Sequence, residues 1–250
     1  MLSLVSISTT YHRGTPNQAR ALSDVTLRVA SGEFVVVIGS NGSGKSTLLN
    51  VVAGSSPIDS GTVTIDDADV TAYEAHRRAG PVARVFQNPF SGTAPSMTVA
   101  ENMRLASLRG EPKRLRIGLH RHEREALVGR LAELDMGIEG RLDTPAGRLS
   151  GGQRQAITLL MATLRTPKIL LLDEHTAALD PRSADRVMEL TADMIDRHRL
   201  TALMVTHDLD QAVRYGTRLI VMTEGRIAMD IAGPEKGAVT AEELLHTFRR

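Results

Sequence analysis

The sequence predicts an α/β protein with a mostly parallel sheet and one inserted helical region. Short apolar, often β-branched runs alternate with segments of helical spacing, which is typical of a parallel sheet covered by helices. One such run, EFVVVIG at 33–39, leads into a glycine loop and then into a helical segment closed by Gly54. From about 90 to 165, three helical patterns follow one another without an obvious strand. This stretch therefore predicts a helical insertion.

The other elements follow from the same two periodicities. Strand patterns occur at 1–9, 21–30, 61–66, 82–87, 168–173 and 201–207, with a hairpin over 217–233 that turns at Glu224-Gly225. Helical patterns occur at 45–54, 98–108, 123–134, 151–166, 183–199 and 208–216. We find no internal repeat and no low-complexity linker.

Composition narrows the function classes. The 250 residues are 42% hydrophobic and 24% charged, which is ordinary for a globular protein. The net charge of +1 gives no indication of a nucleic acid or another anionic partner. The absence of cysteine excludes disulfides and thiolate metal sites, and it suits a reducing cytoplasm. We expect no signal peptide, and no apolar run approaches the roughly 18 residues of a membrane span. If the protein acts at a membrane, another chain must span it.

The stretch GSNGSGKST fits the phosphate-loop pattern G-x-x-x-x-G-K-[ST]. Its members are Gly39, Ser40, Asn41, Gly42, Ser43, Gly44, Lys45, Ser46 and Thr47. The glycines allow backbone N–H groups to turn inward around phosphate oxygens. Lys45 would add a positive charge near the outer phosphates, and Ser46 would offer its hydroxyl to Mg²⁺. The alternative, a chance Gly/Ser turn, is disfavoured by the buried strand before it and the helix after it.

A pair of carboxylates ends another buried strand. In ILLLDE, Asp173 stands at the carboxyl end of the strand, where ligands of open α/β sheets lie. A carboxylate there can hold Mg²⁺ through water. Glu174 follows directly and could orient or deprotonate an attacking water. The plainer interpretation is that both residues only begin a polar turn.

The stretch LSGGQ at 149–153 is a second candidate anion site. It opens a helical pattern, and a helix start with free N–H groups favours an anion. A plain helix capped by Ser150 accounts for the serine but not for the two glycines after it.

These three motifs together resemble the ATP-binding subunit of an ATP-binding cassette (ABC) transporter, over about residues 1–230. The resemblance implies a P-loop NTPase fold with ATP and Mg²⁺ as cofactors. It implies a RecA-like core with an N-terminal antiparallel β subdomain (1–89 and 166–230), a helical subdomain carrying LSGGQ (90–165) and a C-terminal extension (231–250). It also implies a second ATP-binding subunit, packed head to tail. The signature of one subunit, formed by Ser150, Gly151, Gly152 and Gln153, would then close over the ATP of the other.

The resemblance assigns roles to four more residues. Gln87 in VFQNPF would complete the Mg²⁺ shell, and His207 in VTHDLDQA would touch the γ-phosphate and position Glu174. Tyr11 would stack on adenine, and Asp180 would act across the dimer. Without the resemblance, His207 is a surface or structural histidine, Tyr11 is an exposed turn residue, and Asp180 is the N-cap of a helix with proline in its first turn.

One segment departs from the family pattern. Where the family has Pro-Thr-Ser-Ala-Leu-Asp after the two carboxylates, this chain has His175-Thr-Ala177-Ala178-Leu-Asp, so a histidine replaces the proline and an alanine replaces the serine. We hypothesise that His175 lies near the dimer seam and makes the ATPase rate depend on pH around its own pKa.

A basic segment spans 104–130. It contains Arg104, Arg109, Lys113, Arg114, Arg116, His120, Arg121, His122, Arg124 and Arg130. Such runs are usually solvated, and three glutamates partly offset the charge. Contact with anionic lipid headgroups or a permease loop is the functional alternative. Nucleic acid is disfavoured because no aromatic residues are interleaved to stack on bases.

The resemblance favours a bacterial importer, because the chain carries no fused membrane domain. DEHTAALDP and the C-terminal stretch resemble an uptake group for amino-acid-like solutes. The implied partners are an integral-membrane permease and an extracytoplasmic solute-binding protein, and the implied location is the cytoplasmic face of the inner membrane. The alternatives are an exporter or lipoprotein-extraction ATPase, and a soluble ABC ATPase of DNA repair or ribosomes. Soluble ABC ATPases usually carry a long coiled-coil insert or two fused cassettes, and neither fits in 250 residues with one phosphate loop.

Overall fold

The computed structural model describes residues 1–111 and 118–248, so Lys113, Arg114 and Arg116 of the basic segment lie outside the described residues. The strands are β1 (Leu2–Tyr11), β2 (Ala19–Val29), β3 (Phe34–Gly39), β4 (Ser60–Ile65), β5 (Ala68–Asp69), β6 (Val82–Val85), β7 (Ile169–Asp173), β8 (Ala202–Val205), β9 (Arg218–Thr223) and β10 (Arg226–Ala232). The helices are α1 (Lys45–Ala53), α2 (Ala75–Arg78), α3 (Val99–Ser107), α4 (Arg121–Ala132), α5 (Gly151–Thr163), α6 (Pro181–Arg197), α7 (Leu209–Arg214), α8 (Gly233–Ala238) and α9 (Ala241–Phe248).

The strands form two sheets. The larger sheet has the order β10-β9-β3-β8-β7-β6 and is parallel except for the β9-β10 hairpin. The smaller sheet has the order β2-β1-β4-β5, with antiparallel pairing throughout. This is the predicted core with its N-terminal antiparallel subdomain, and the predicted fold class is confirmed.

The central strands of the larger sheet, β3 and β8, are buried on both faces because they are apolar along almost their whole length. On β3, Val36 and Ile38 pack into a core shared with α3, α5 and α6. Val35 and Val37 point the other way, into a core shared with α1 and the smaller sheet. Such continuous apolar runs are characteristic of parallel strands covered on two sides.

The predicted helical insertion contains α3, α4 and α5, together with a single 3₁₀ turn at Ala146–Arg148. Within the described part of 90–165 there is no strand, only an isolated bridge between Thr98 and Pro145. Thr98 also caps α3, because its hydroxyl accepts from the backbone N–H of Glu101 and the glutamate returns a contact to the Thr98 N–H. The division of the chain into subdomains at 90 and 165 stays a prediction.

The sequence patterns did not predict α2, α8 or α9. The C-terminal helices pack onto the core: α9 lies against α7, with Leu244 only 2% exposed. Lys236 of α8 is buried, and its ammonium donates to the carbonyl oxygen of Val213 near the end of α7. A cation there complements the negative end of the helix dipole. Burial lowers the pKa of Lys236. None of the helices in the described part of the chain has the length and apolar content needed to cross a bilayer.

This packing predicts unequal effects at two adjacent leucines. Leu244→Ala should lower the free energy of unfolding by about 2–4 kcal/mol, because it leaves a cavity in the core. Leu245 is 42% exposed, and Leu245→Ala should change stability by less than about 1 kcal/mol. Urea unfolding monitored by circular dichroism measures both, and equal effects would contradict the docking of α9.

Candidate functional site

Four parallel strands end at one edge of the larger sheet, and each delivers a predicted site residue there. The phosphate loop follows β3, Gln87 follows β6, and His207 follows β8 by two residues. Asp173 ends β7, and Glu174 comes next. In the sheet β3, β8, β7 and β6 are consecutive neighbours, so these groups converge where ligands of open α/β sheets bind.

The phosphate loop is already folded as a cradle. Gly42 (φ 82°) and Gly44 (φ 99°) adopt left-handed conformations that favour glycine. A Cβ on Gly44 would lie 2.5 Å from the carbonyl oxygen of Ala21, so the loop also packs tightly against β2. Lys45 folds back across the loop, where its ammonium donates to the carbonyl oxygens of Gly39 (2.8 Å) and Ser40 (2.9 Å).

The electrostatics of Lys45 link the loop to the carboxylates. Burial lowers the pKa of the Lys45 ammonium, and the charges of Glu174 and Asp173 partly offset that effect.

The hydroxyl of Ser43 is buried in the loop without a hydrogen-bond partner. A buried polar group without a partner is rare unless a ligand completes it. The loop therefore fits an anionic ligand such as a nucleotide phosphate.

Asp173 is held by a contact that the sequence patterns did not predict. Arg84 of β6 donates to Asp173 Oδ2 (2.5 Å) and to Asn50 Oδ1 of α1 (2.7 Å). Among the described residues no cluster of three His, Cys, Asp or Glu side chains could hold a metal. Ser46, Gln87 and Asp173 offer oxygen ligands at this edge, the kind of ligand that Mg²⁺ prefers.

Glu174 stands between two of the other predicted residues. Gln87 Nε2 donates to Glu174 Oε2 at 3.3 Å, and His207 Nδ1 lies 3.4 Å from the same oxygen. Glu174 has a left-handed backbone (φ 44°), and its N–H donates to the carbonyl oxygen of Val205 (2.9 Å). This costs conformational energy in a non-glycine residue and is a common feature of functional sites. The site thus has a carboxylate flanked by an amide and an imidazole.

The LSGGQ segment forms the start of α5. Ser150 is the N-cap: its hydroxyl accepts from the N–H of Gln153 (3.2 Å), and the side chain of Gln153 accepts from the N–H of Ser150 (3.3 Å). Gly151 is exposed. A Cβ on Gly152 would lie 2.9 Å from Ser183 Cβ, so helix packing also requires this glycine. Among the described residues no hydrogen bond or ion pair joins this segment to the phosphate loop.

Tyr11 and Asp180 lie beside these motifs. Tyr11 ends β1 and pairs with Ala19, two residues before the Ala21 that touches the phosphate loop. Its phenol contacts the hydroxyl of Ser56, and its ring is half-buried. Asp180 caps α6 by accepting from the N–H of Ser183 (3.1 Å). Hydrogen bonding from the side chain of Ser183, and then from its backbone N–H, lowers the pKa of Asp180. The capping interpretation of Asp180 is confirmed.

His175 is inside the protein, which contradicts the hypothesis that its titration sets the pH dependence of the ATPase rate, whereas its place near a dimer seam stays a prediction. Its side chain is 1% exposed, and its Nε2 lies 3.0 Å from the hydroxyl of Thr191. That hydroxyl donates to the carbonyl oxygen of Val187 (2.7 Å), so Nε2 carries the proton. Burial lowers the pKa of His175 to about 4. It therefore does not titrate near neutral pH.

This burial predicts a pH-dependent stability. An unfolded histidine protonates near pH 6.5, whereas folded His175 stays neutral down to about pH 4. The unfolded state gains a proton over that interval, so the stabilisation is complete above about pH 6.5 and is lost as the pH falls towards 4. His175→Gln should remove about 2 kcal/mol of the stability loss between about pH 7.5 and pH 5. Urea unfolding at both pH values measures it, and the exposed His198→Gln is the control.

The described arginines of the basic segment already have partners within the chain. Arg104 pairs with Glu123, Arg121 with Glu125, Arg124 with Asp143, and Arg130 with Glu133. Arg109 donates to the carbonyl oxygens of Ala162 and Arg165. These contacts favour the interpretation of a solvated, internally paired face.

Comparisons with known proteins agree with this geometry. The family model described as "ABC transporter" matches residues 22–177. The chain is 42% identical over 250 residues to a tyrosine transport ATP-binding protein of Clostridioides difficile (strain R20291), covering 99% of this chain and 98% of that protein. It is 37% identical over 230 residues to a thiamine import ATP-binding protein of Shigella sonnei (strain Ss046), covering 91% and 90%.

Solved structures show the same fold. The ADP conformation of an ATP-binding cassette of an ABC transporter superposes with a TM-score of 0.82 at 27% identity, covering 100% of this chain and 98% of that one. A dimeric post-hydrolysis cassette bound to ADP and Pi superposes with a TM-score of 0.78 at 28% identity, covering 93% and 98%. The chain therefore belongs to the ABC transporter family, in which it is an ATP-binding subunit that hydrolyses ATP.

Proposed function

We propose that the chain drives the uptake of an amino-acid-like solute through a separate membrane permease, with a second copy of itself as partner. The ATP-hydrolysing part of this proposal rests on the position of Glu174. Its carboxylate lies between Gln87 and His207, at the sheet edge that bears the phosphate loop. The solute class rests on the 42% identical relative, whose name specifies tyrosine transport. The importer assignment has further support from the name of the thiamine relative.

The phosphate loop, Gly39 to Thr47, binds the triphosphate through its inward N–H groups and Lys45. Tyr11 stacks on adenine from the end of β1. Ser46, Gln87 and Asp173 would hold Mg²⁺ beside the phosphates. Bound there, Mg²⁺ would neutralise charge on the outer phosphates.

Glu174 is the general base. Its carboxylate accepts a proton from the attacking water, and His207 fixes the orientation of that carboxylate and touches the γ-phosphate. Lys45 leaves its loop carbonyls to bind the outer phosphates and stabilises the charge that develops on them. Most of the rate enhancement comes from positioning and electrostatics.

Two copies assemble head to tail around two ATP molecules. Ser150, Gly151, Gly152 and Gln153 of one copy contact the γ-phosphate held by the other, and Asp180 contacts the partner's phosphate loop. The free N–H groups at the start of α5 support this role, since a helix start favours an anion. The dimeric structure among the solved relatives also supports it.

The permease docks in a cleft of about 430 Å³ between the core and the helical insertion. The cleft is lined by Phe86, directly before Gln87, by Ser91 four positions after it, and by Ala106 and Met161 of the insertion. Phe90 stands beside it with 56% of its surface exposed. This position supports transmission of nucleotide state from Gln87 to a permease, with the protein peripheral on the cytoplasmic face of the inner membrane.

Uptake of radiolabelled tyrosine tests the proposal. Cells lacking the chain should lose uptake, wild-type protein should restore it, and Glu174→Gln should not. Affinity purification from detergent-solubilised membranes should recover a polytopic permease, with a secreted solute-binding protein encoded beside it. Import would be refuted if cells lacking the chain took up tyrosine as wild-type cells do and the purification recovered a membrane partner without any binding protein.

A further inference from the structure

The side chain of Arg84 lies on the carboxylate side of the site, outside every motif described above. Ala83 and Val85 of the same strand join the core under α3, α5 and α6. Because strand side chains alternate, Arg84 points to the opposite face, which α1 covers. The parallel register sets it opposite Leu171, two residues before Asp173. Its guanidinium therefore reaches forward along the sheet to the Asp173 carboxylate.

The contacts of Arg84 tie three parts of the site together. One terminal nitrogen donates to Asp173 Oδ2 and the other to Asn50 Oδ1 of the phosphate-loop helix. The guanidinium carbon lies 5.0 Å from the centre of the Phe86 ring, next to Gln87. Only 16% of the Arg84 side chain and 15% of the Asp173 side chain are exposed. The pair is thus mostly shielded from water, where charge-assisted hydrogen bonds are strong.

Only one oxygen of Asp173 is engaged. Among the described residues no hydrogen bond reaches Asp173 Oδ1. The guanidinium of Arg84 is itself held by the hydrogen bond from its other terminal nitrogen to Asn50. The planar guanidinium therefore fixes the orientation of the Asp173 carboxylate. This leaves Oδ1 available to the water shell of a bound cation.

We propose that Arg84 is a positioning residue for nucleotide hydrolysis and the counter-ion that lets the site accept a triphosphate before its metal. The inference rests on the proposed nucleotide site. Without Arg84, Asp173 and Glu174 form a pair of adjacent carboxylates facing a polyanionic ligand, with the Lys45 ammonium acting on both of them. Repulsion would then weaken metal-free ATP, whereas Mg²⁺ would restore the balance of charge.

The test compares two affinities. Binding of a fluorescent ATP analogue is titrated once in EDTA and once in Mg²⁺, for wild type and for Arg84→Met. We expect the ratio of the two dissociation constants to rise about tenfold in the variant, mostly through weaker binding in EDTA. Turnover should fall as well, because Asp173 loses its orientation. A purely structural role for Arg84 would weaken both titrations equally and leave the ratio unchanged, which would overturn the proposal.

Three variants keep the result interpretable. Arg84→Lys retains the charge but not the fork, so the affinity ratio should return towards wild type while turnover stays low. In an Asp173→Asn background, Arg84→Met should no longer change the ratio. Arg197→Met is the matched control, because Arg197 forms an exposed pair with Asp193 near the far end of α6. If wild type binds no nucleotide, the proposed function fails; if wild type binds and the ratio stays constant, only the Arg84 proposal fails.

Discussion

Glu174→Gln should retain ATP but lose at least about a hundredfold in turnover, because the amide cannot accept the proton of the attacking water. The substitution keeps the size of the side chain and its contacts with Gln87 and His207. ATP should consequently accumulate in the closed pair, so the variant should elute as a dimer in ATP and as a monomer in ADP. Phosphate release and size-exclusion chromatography measure the two effects.

The control for this variant is Glu242→Gln, an exposed glutamate of α9 that lies outside the site. It should match wild type in both assays. Near wild-type turnover in Glu174→Gln would refute the assignment of the general base, and loss of ATP binding would show that the carboxylate serves the ligand and not the water.

A mixture of two inactive variants should regain activity if the signature acts across a head-to-tail dimer. Lys45→Ala removes the phosphate-loop cation but keeps an intact signature. Ser150→Asp keeps the N-cap, because aspartate caps helices as well as serine does, but it sets a negative charge where the partner's γ-phosphate would lie. Each variant alone should lose at least about a hundredfold in turnover.

The equal mixture should recover up to about a quarter of wild-type turnover, because half of the dimers are mixed and each contains one intact composite site. Ser150→Thr, which keeps the hydroxyl and the cap, should remain close to wild type. A mixture no more active than its separate components would exclude a site shared between subunits.

Much of the site could be predicted because its residues follow strands of one parallel sheet. Gln87, Asp173, Glu174 and His207 are separated by up to 120 positions in the chain, yet each stands at the carboxyl end of a strand. Parallel pairing carries all such ends to one edge. The contacts of Glu174 with Gln87 and His207 then follow from topology.

The contacts of side chains in the middle of a strand or in a buried turn could not be predicted in this way. A one-residue change of register would turn Arg84 towards the opposite face of β6, so its contact with Asp173 depends on a pairing that the sequence does not reveal. His175 is similar. A polar residue after two carboxylates suggests a surface turn, but the hydroxyl of Thr191, on a helix 16 positions away, provides the partner that allows its burial.

The capped start of α5 has a consequence for how two subunits associate. The mutual hydrogen bonds of Ser150 and Gln153 exist in the single chain, and Gln153 is further anchored to the carbonyl oxygen of Met136 (3.2 Å). The conformational entropy of the LSGGQ segment is thus lost when the chain folds and not when two subunits associate. For the proposed dimer, association therefore requires no local ordering of this segment, and its lifetime depends on the nucleotide held between two surfaces that are rigid beforehand.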